Sequence, residues 1–434
     1  MKVCVQGLWH LGSVTAACLS SVGHTVVGID SDQGTIDGLT KGNAPLFEPG
    51  LDALLQEGIA KGCLSFTTII ADMINDAEVL WVTFDTPVDN NDRADAGFVI
   101  DRIKSVLPML ADGTVVLVSS QMPVGSIRQL EDFARKNLVN KQLEFAYSPE
   151  NLRLGKALDV FLKPDRIVVG VRTDVARHKL EKLLLPVTDK IEWMSVESAE
   201  MTKHAINAFL ATSVTFANEV ASICEMVGAD AKEVERGLKT EARIGPKAYL
   251  SPGGPFAGGT LARDIEFLEV AGRNQKLATP LISSIRISND EHKNWVRRKL
   301  LEIFSKLGGV RIAVWGLTYK PGTDTLRRSL AVELCDWLIA QEAVVHVYDP
   351  AVRQLPERWS GRVVNYARAI DAASGTDVLI VGTEWPNFLQ DAGDLLSVVN
   401  ANFVVIDANR HLQSVVVQLG LKYVAVGIPL VNED

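Results

Sequence analysis

Nowhere in the 434 residues do two cysteines form a CxxC pair. The five cysteines, Cys4, Cys18, Cys63, Cys224 and Cys335, are an odd number scattered from end to end. That pattern excludes a disulfide framework and the usual zinc-site spacings, and no metal site is expected. No apolar run approaches the roughly 18 residues of a membrane-spanning helix. Positive charge is not in excess either: 44 Lys and Arg stand against 53 Asp and Glu, for a net charge of −9. General affinity for nucleic acid or anionic lipid is therefore not expected, although a local basic pocket remains compatible with phosphate binding. The opening MKVCVQG enters a strand pattern directly and leaves no room for a signal peptide. A reducing cytoplasm is the expected setting.

What the chain does have is alternation. Short β-branched runs at 2–6, 25–30, 79–84, 114–120 and 166–170 read as buried strands, with helical patterns between most of them. A long helical stretch follows, from about Ser198 to Val227, with Ala205, Phe209, Val214, Phe216 and Val220 supplying apolar surface and Gly228 suited to the stop. Strand patterns resume at 310–315, 344–348, 378–381, 403–406 and 423–426. The chain is too long for one hydrophobic core. The expected fold class is α/β, with two Rossmann-like doubly wound parallel-sheet domains, 1–195 and 301–434, joined by a central helical domain, 196–300.

The first strand runs into Gly7-Leu8-Trp9-His10-Leu11-Gly12, and the second ends at Asp30, 23 residues after Gly7. In a dinucleotide site the first glycine makes a tight turn, helix amides meet the pyrophosphate, and an acid at the end of the second strand holds the ribose hydroxyls. Gly7, Trp9, His10, Leu11, Gly12 and Asp30 are thus candidate cofactor contacts. Asp30 would repel a 2′-phosphate, which favours NAD over NADP. Trp9 occupies the place of the middle glycine. The bland reading of the glycine pair alone is an ordinary strand–helix turn.

Further along, ordered segments accumulate. They are Gly42–Leu51 (GNAPLFEPGL), Asp85–Asp89 (DTPVD), Ser119–Gly125 (SSQMPVG), Ser148–Leu152 (SPENL) and Pro164–Gly170 (PDRIVVG). Then come Lys203–Asn207 (KHAIN), Arg243–Gly245, Gly258–Asp264 (GGTLARD) and Gly316–Pro321 (GLTYKP), the last followed by Asp324 and Arg327. In this order, over more than 300 residues, the chain resembles the UDP-glucose/GDP-mannose dehydrogenase family.

The resemblance implies oxidation at C6 of a nucleotide sugar from alcohol to acid with two NAD in sequence. It adds Thr86, Pro87 and Ser120 to the cofactor contacts. It implies that Lys203, Asn207 and Asp264 position water and steady developing oxyanion charge, and that Glu150 polarises water or moves a proton. Lys203 and Asn207 are four residues apart, so a helix carries both on one face. Each residue has a plain structural reading as well: a solvated lysine, a buried amide, a helix-capping carboxylate. The substrate set is Leu152, Arg243, Lys247, Tyr249, Gly253, Gly258, Gly259, Lys320 and Arg327. Within it the loop Gly253–Gly259 is expected to be flexible enough to close on substrate, and the basic residues to form a diphosphate clamp. A UDP-sugar or other nucleotide sugar is the expected partner, and the long helix is expected to form a homodimer interface.

One departure stands out. The family pattern after the paired glycines is G-G-S-C-F-x-K-D, with cysteine as nucleophile. Here the residues are Gly258-Gly259-Thr260-Leu261-Ala262-Arg263-Asp264, and no cysteine falls there under either placement of a one-residue gap. Thr260 offers only a hydroxyl of much higher pKa, with no adjacent histidine. Asn151 and Leu154 also depart from the family pattern. Three outcomes are open: one oxidation to an aldehyde or ketone, direct oxidation of a hydrated aldehyde held by Lys203, Asn207 and Asp264, or a silent protein that only binds nucleotide sugars.

Overall fold

The computed structural model describes residues 1–69, 74–89 and 94–429. The chain divides into two compact units, Met1–Ile206 and Asn207–Asp434.

The first unit is built on an eight-stranded sheet: β1 (Lys2–Gln6), β2 (Thr25–Ile29), β3 (Leu64–Thr67), β4 (Val79–Val82), β5 (Val115–Val118), β6 (Glu144–Tyr147), β7 (Ile167–Val171) and β8 (Ile191–Met194). Their order is β3-β2-β1-β4-β5-β6-β7-β8. The central strands VLWV and VVLV are buried at every position because helices cover both faces, so continuous apolar runs replace alternation. Each fully buried Val, Leu or Ile there contributes about 1.5–3 kcal/mol. The pairing is parallel except between β6 and β7, which run antiparallel through Ala146–Val171 and Tyr147–Gly170. The sheet is the parallel, doubly wound one expected from the sequence but for that one pair. The antiparallel step is made by a segment that includes the short helix Ala157–Leu162.

Strand order reverses between β1 and β4, the switch point at which open α/β sheets hold ligands beyond their carboxyl ends. The helix His10–Ser21 leaves β1 at that point. It is buried from Leu11 to Ser20, so small residues such as Gly12, Ser13, Ala16 and Ala17 bring its backbone close to the sheet.

The second unit has six strands, all parallel: β9 (Arg311–Trp315), β10 (Val344–Tyr348), β11 (Val363–Asn365), β12 (Val378–Val381), β13 (Val404–Ile406) and β14 (Lys422–Val424), in the order β11-β10-β9-β12-β13-β14. Its helices include Thr260–Asn274, Pro280–His292, Trp295–Phe304 and Leu330–Ala340. One helix, Val196–Val227, runs through the division of the units and ends at Gly228, whose φ of +78° suits a left-handed stop. Among the described residues, no helix is long and apolar enough to cross a membrane.

Candidate functional site

In the first unit the turn after β1 is built for close backbone approach. Gly7 has φ +93°, and a Cβ on it would lie 2.6 Å from the Phe84 ring and 2.8 Å from the Phe84 amide nitrogen. A Cβ on Gly12 would lie 1.9 Å from the Gly7 carbonyl oxygen, so only glycine lets the helix pack this tightly on the strand. Thr83 Oγ1 donates to that same carbonyl at 2.8 Å and fixes the turn from the neighbouring strand. Asp30 accepts from the Leu8 amide at 2.7 Å with one oxygen and from the Asp32 amide at 3.0 Å with the other. Trp9 is the N-cap and supplies no side-chain cap bond; its indole is about half exposed. The helix dipole and first-turn amides of this end therefore suit an anion.

Thr86 and Ser120 are brought to the same end of the sheet. Thr86 Oγ1 donates to the Gln121 carbonyl at 2.6 Å, and Pro87 accepts the Asp95 amide at 2.8 Å. Ser120 Oγ is buried and has no protein partner among the described residues. A glycine cradle that a Cβ would fill, a helix end without a side-chain cap and an orphaned buried hydroxyl fit a dinucleotide. The His10 ring turns to Glu48, with Nε2 2.9 Å from Oε2.

Glu150 follows β6 at the carboxyl end of the sheet. Lys203, buried on the long helix, gives its ammonium to the Glu150 carbonyl oxygen at 2.6 Å and lies 3.4 Å from Oε1. Glu150 Oε2 accepts from the Leu152 amide at 2.9 Å. Leu152 itself packs against the core of the unit. Two neighbours on the helix hold Lys203 in register. The buried Glu200 accepts from the Gly125 and Ile127 amides at 2.7 and 3.0 Å, capping the helix Ser126–Asn137, and His204 Nε2 is 3.0 Å from the Met122 carbonyl. Burial pushes the Glu200 carboxyl above its usual range, with the two amides pulling the other way.

In the second unit Asn207 donates through Nδ2 to Asp264 Oδ2, both groups being buried. Asp264 lies in the second turn of the helix Thr260–Asn274, whose N-cap is Gly259 at φ +101°. Thr260 begins that helix and is exposed.

The glycine loop is pinned at its start rather than free. Asn218 accepts the Gly253 amide at 2.9 Å, Asn409 accepts the Gly254 amide at 2.6 Å, and Asn289 bonds Phe256 through both its amide and its carbonyl at 2.9 and 2.8 Å. His292 Nε2 is 2.8 Å from the Gly253 carbonyl. Glycine composition permits motion, but here four side chains satisfy the backbone: Asn218 of the long helix, Asn289 and His292 of the helix Pro280–His292, and Asn409 after β13.

Beside this loop lies a cavity of about 400 Å³ at the switch point between β9 and β12, bounded by Gly254, Pro255 and Ala257 on one side and by Thr318–Pro321 and Thr383–Glu384 on the other. Its charged lining is Lys293, Arg297, Lys320 and Arg328 against Glu333 and Glu384, a cationic balance in an acidic chain. That balance suits a diphosphate. Of the basic clamp expected from the sequence, only Lys320 reaches this wall. Arg327 lines a neighbouring depression with Asp336 and Arg358. Arg243 is exposed on Glu241 at 2.9 Å, and Lys247 and Tyr249 face solvent. Gly253 lies behind the cavity wall, where a Cβ would meet Asn409 Oδ1 at 2.3 Å; Gly258 is half-buried. The residues that sequence reasoning passed over are Arg328, Asn218, Asn289, His292 and Asn409. Arg328 carries a backbone signal invisible in sequence, φ +63° for a non-glycine residue, a strain found at ligand sites.

The two units repeat one device. Gly316 has φ +87°, and Leu317 donates to Asp349 Oδ2 at 2.7 Å, as Leu8 does to Asp30. Asp349 also accepts from Thr318, Ala351 and Trp385, so its lone pairs are spent within the protein. The acid that remains available to a ribose is Asp30, with two donors.

Comparison with known proteins agrees along the whole chain. Residues 1–188 match the UDP-glucose/GDP-mannose dehydrogenase family NAD binding domain, 197–291 its central domain and 313–414 its UDP binding domain. The UDP-glucose 6-dehydrogenase of Pseudomonas aeruginosa is 30% identical over 444 residues, covering 99% of this chain and 98% of that one. That of Rhizobium meliloti is 32% identical over 437 residues, covering 99% and 100%. A UDP-glucose dehydrogenase structure from Pyrobaculum islandicum superposes with TM-score 0.84 at 26% identity, covering 98% and 97%. The fold is shared with a UDP-D-ManNAc dehydrogenase from Pyrococcus horikoshii, TM-score 0.83 at 24% identity, covering 98% and 99%. With a glycine cradle for NAD in one unit and a cationic cavity in the other, the chain belongs to the UDP-glucose/GDP-mannose dehydrogenase family of NAD-dependent oxidoreductases acting on a CH–OH group of a nucleotide sugar.

Proposed function

We propose that the protein oxidises the C6 hydroxyl of a UDP-sugar by hydride transfer, without a cysteine nucleophile. The observation that carries this reading is the buried Lys203 ammonium bound to Glu150 at the end of β6. NAD, held by Gly7, Gly12, Asp30, Thr86 and Ser120, supplies the hydride acceptor when bound. Glu150 takes the hydroxyl proton, directly or through a water. Lys203 stabilises the alkoxide that develops as the proton leaves. The resemblance gives Asn207, held by Asp264, the role of steadying developing oxyanion charge with a fixed amide dipole. Lys320 and Arg328 neutralise the diphosphate.

The cysteines do not supply a nucleophile under this reading. Cys4, Cys18, Cys224 and Cys335 are buried, and burial pushes the thiols of Cys4 and Cys18 up to about 12. Thr260 is exposed with no histidine beside it in the chain. The second oxidation, in this reading, removes hydride from the hydrated aldehyde. Water adds to the carbonyl, Glu150 takes one diol proton, and the acid is released with no covalent intermediate.

The test is a count. The protein is incubated with NAD and a panel of UDP-, GDP- and TDP-sugars, and NADH formed per sugar consumed is measured. Two per UDP-sugar supports the proposal. One places the end point at an aldehyde or ketone, and none, with binding retained, identifies a nucleotide-sugar sensor.

The proposal includes a homodimer. Phe209, Phe216, Ile223 and Met226 are exposed at near-heptad spacing on the long helix, an apolar stripe unusual for a free surface. Equilibrium ultracentrifugation of wild type and Phe216→Asp tests it: a dimer that the substitution dissociates supports it, and a monomeric wild type overturns it.

A further inference from the structure

The segment Gly42–Leu51 contains a buried acid that the proposed chemistry does not use. Glu48 is 3% exposed, and its carboxylate accepts the Gly155 amide at 2.9 Å, the Ala157 amide at 2.8 Å and the His10 ring at 2.9 Å. Desolvation alone would push this carboxyl up, yet the Gly155 amide, His10 and the Ala157 amide together hold it below the usual range. Glu48 is therefore a preformed anion with three donors from two distant stretches of chain. His10 is the first residue of the dinucleotide helix. Gly155 and Ala157 follow directly on the Glu150–Leu152 stretch, so the carboxylate joins the cofactor turn to the segment behind the proposed base.

We propose that His10 and Glu48 are positioning residues that transmit cofactor occupancy of the Gly7–Gly12 turn to the segment 150–157. A pyrophosphate bound at the helix N-terminus fixes the first helical turn, where His10 lies. With its backbone fixed, the imidazole keeps its Nε2–H on Glu48, and Glu48 keeps both amides. Without cofactor the first turn frays, as uncapped helix ends do, and the segment after Glu150 loosens with it. The order of events is that NAD binds first and completes the sugar-facing segment. Only the sugar-facing role of that segment rests on the proposed function; the link itself depends on NAD alone.

The experiment is amide hydrogen exchange on the full-length protein, read in peptides covering 153–158, with and without saturating NAD. Three proteins are compared: wild type, His10→Phe, which removes the donor, and His10→Gln, which puts an amide donor back at similar reach. NAD is expected to slow exchange at Gly155 and Ala157 about tenfold in wild type. His10→Phe is expected to abolish that slowing at saturating NAD, and His10→Gln to restore it. No NAD effect in wild type overturns the proposal, as does an undiminished effect in His10→Phe or an absent one in His10→Gln. A merely structural role would loosen the segment equally with and without NAD. If no UDP-sugar of the panel binds while the His10-dependent slowing persists, the positioning pair stands and the substrate reading falls.

Discussion

The Lys203 ammonium lies 2.6 Å from the main-chain carbonyl of Glu150 and 3.4 Å from its carboxylate. Lys203 is buried, whereas the Glu150 side chain keeps 28% exposure, so the pair joins a fixed cation to an acid that solvent or substrate can still reach. A purely structural ion pair gains little from such asymmetry. A proton-handling pair requires it: the acid must meet the reacting hydroxyl while the cation stays dry enough to stabilise an oxyanion.

Lys203→Ala is therefore expected to lower kcat by about 10²–10³-fold, the usual worth of one preorganised oxyanion donor. NAD affinity should hardly change, because Gly7, Gly12 and Asp30 are untouched. Steady-state rates and an NAD titration check both halves. A variant with unreduced turnover removes Lys203 from the chemistry.

Gly12→Ala tests the cofactor cradle. The new Cβ would stand 1.9 Å from the Gly7 carbonyl oxygen and 2.8 Å from Thr83 Oγ1. The helix must move away from the strand, at about 1–3 kcal/mol for an overpacked site. Because that movement carries the first-turn amides with it, NAD affinity should fall more than stability does. Urea denaturation and NAD calorimetry on the same preparation separate the two. An unchanged NAD affinity would show that the helix N-terminus does not carry the pyrophosphate.

How much of this was legible beforehand follows from the range of each interaction. Ten of the strands, the long helix and the Gly7–Asp30 turn are local, and their period and spacing mark them to within a residue or two; the short strands β3, β6, β8 and β11 carry too little pattern and were missed. The β6–β7 antiparallel step is not local, since nothing in IVVGV records its direction. Lys203, Glu150, Asn207 and Asp264 were named through ordered motifs, and the structure adds what each one touches. The asparagines around the glycine loop were missed because 218, 289 and 409 lie far apart in sequence and Asn has no periodic signature. Arg328 was passed over for its neighbour Arg327, because only a left-handed backbone at 328 turns one arginine of the pair into the cavity.

Asn409→Ala tests that asparagine cage. The side chain accepts the Gly254 amide at 2.6 Å and donates to Glu384, both on the cavity wall. Removing it leaves a backbone donor without its partner and frees a cavity acid, at about 1–3 kcal/mol. UDP affinity should drop roughly 5- to 30-fold while NAD affinity holds, as isothermal calorimetry with each ligand separately will register. A UDP affinity equal to wild type would mean that the cavity does not take the nucleotide.

His292 makes the same cage sensitive to acid. Burial lowers its pKa from the ordinary 6.5, with the bond to the Gly253 carbonyl pulling weakly the other way. As pH falls below 6.5 the unfolded chain takes up this proton before the folded one does. The unfolded state then holds more protons, and the stability that neutral His292 contributes is lost on acidification. Each unit of lowering corresponds to about 1.4 kcal/mol at most. His292→Gln keeps an amide donor for Gly253 but cannot titrate, so its stability should respond less to pH than that of wild type. Urea midpoints of both proteins, taken at about pH 7.5 and about pH 5.5, on either side of the ordinary histidine pKa, should converge as pH falls. A constant gap between them would mean that His292 binds its proton equally well in the folded and the unfolded chain, and that burial does not depress it.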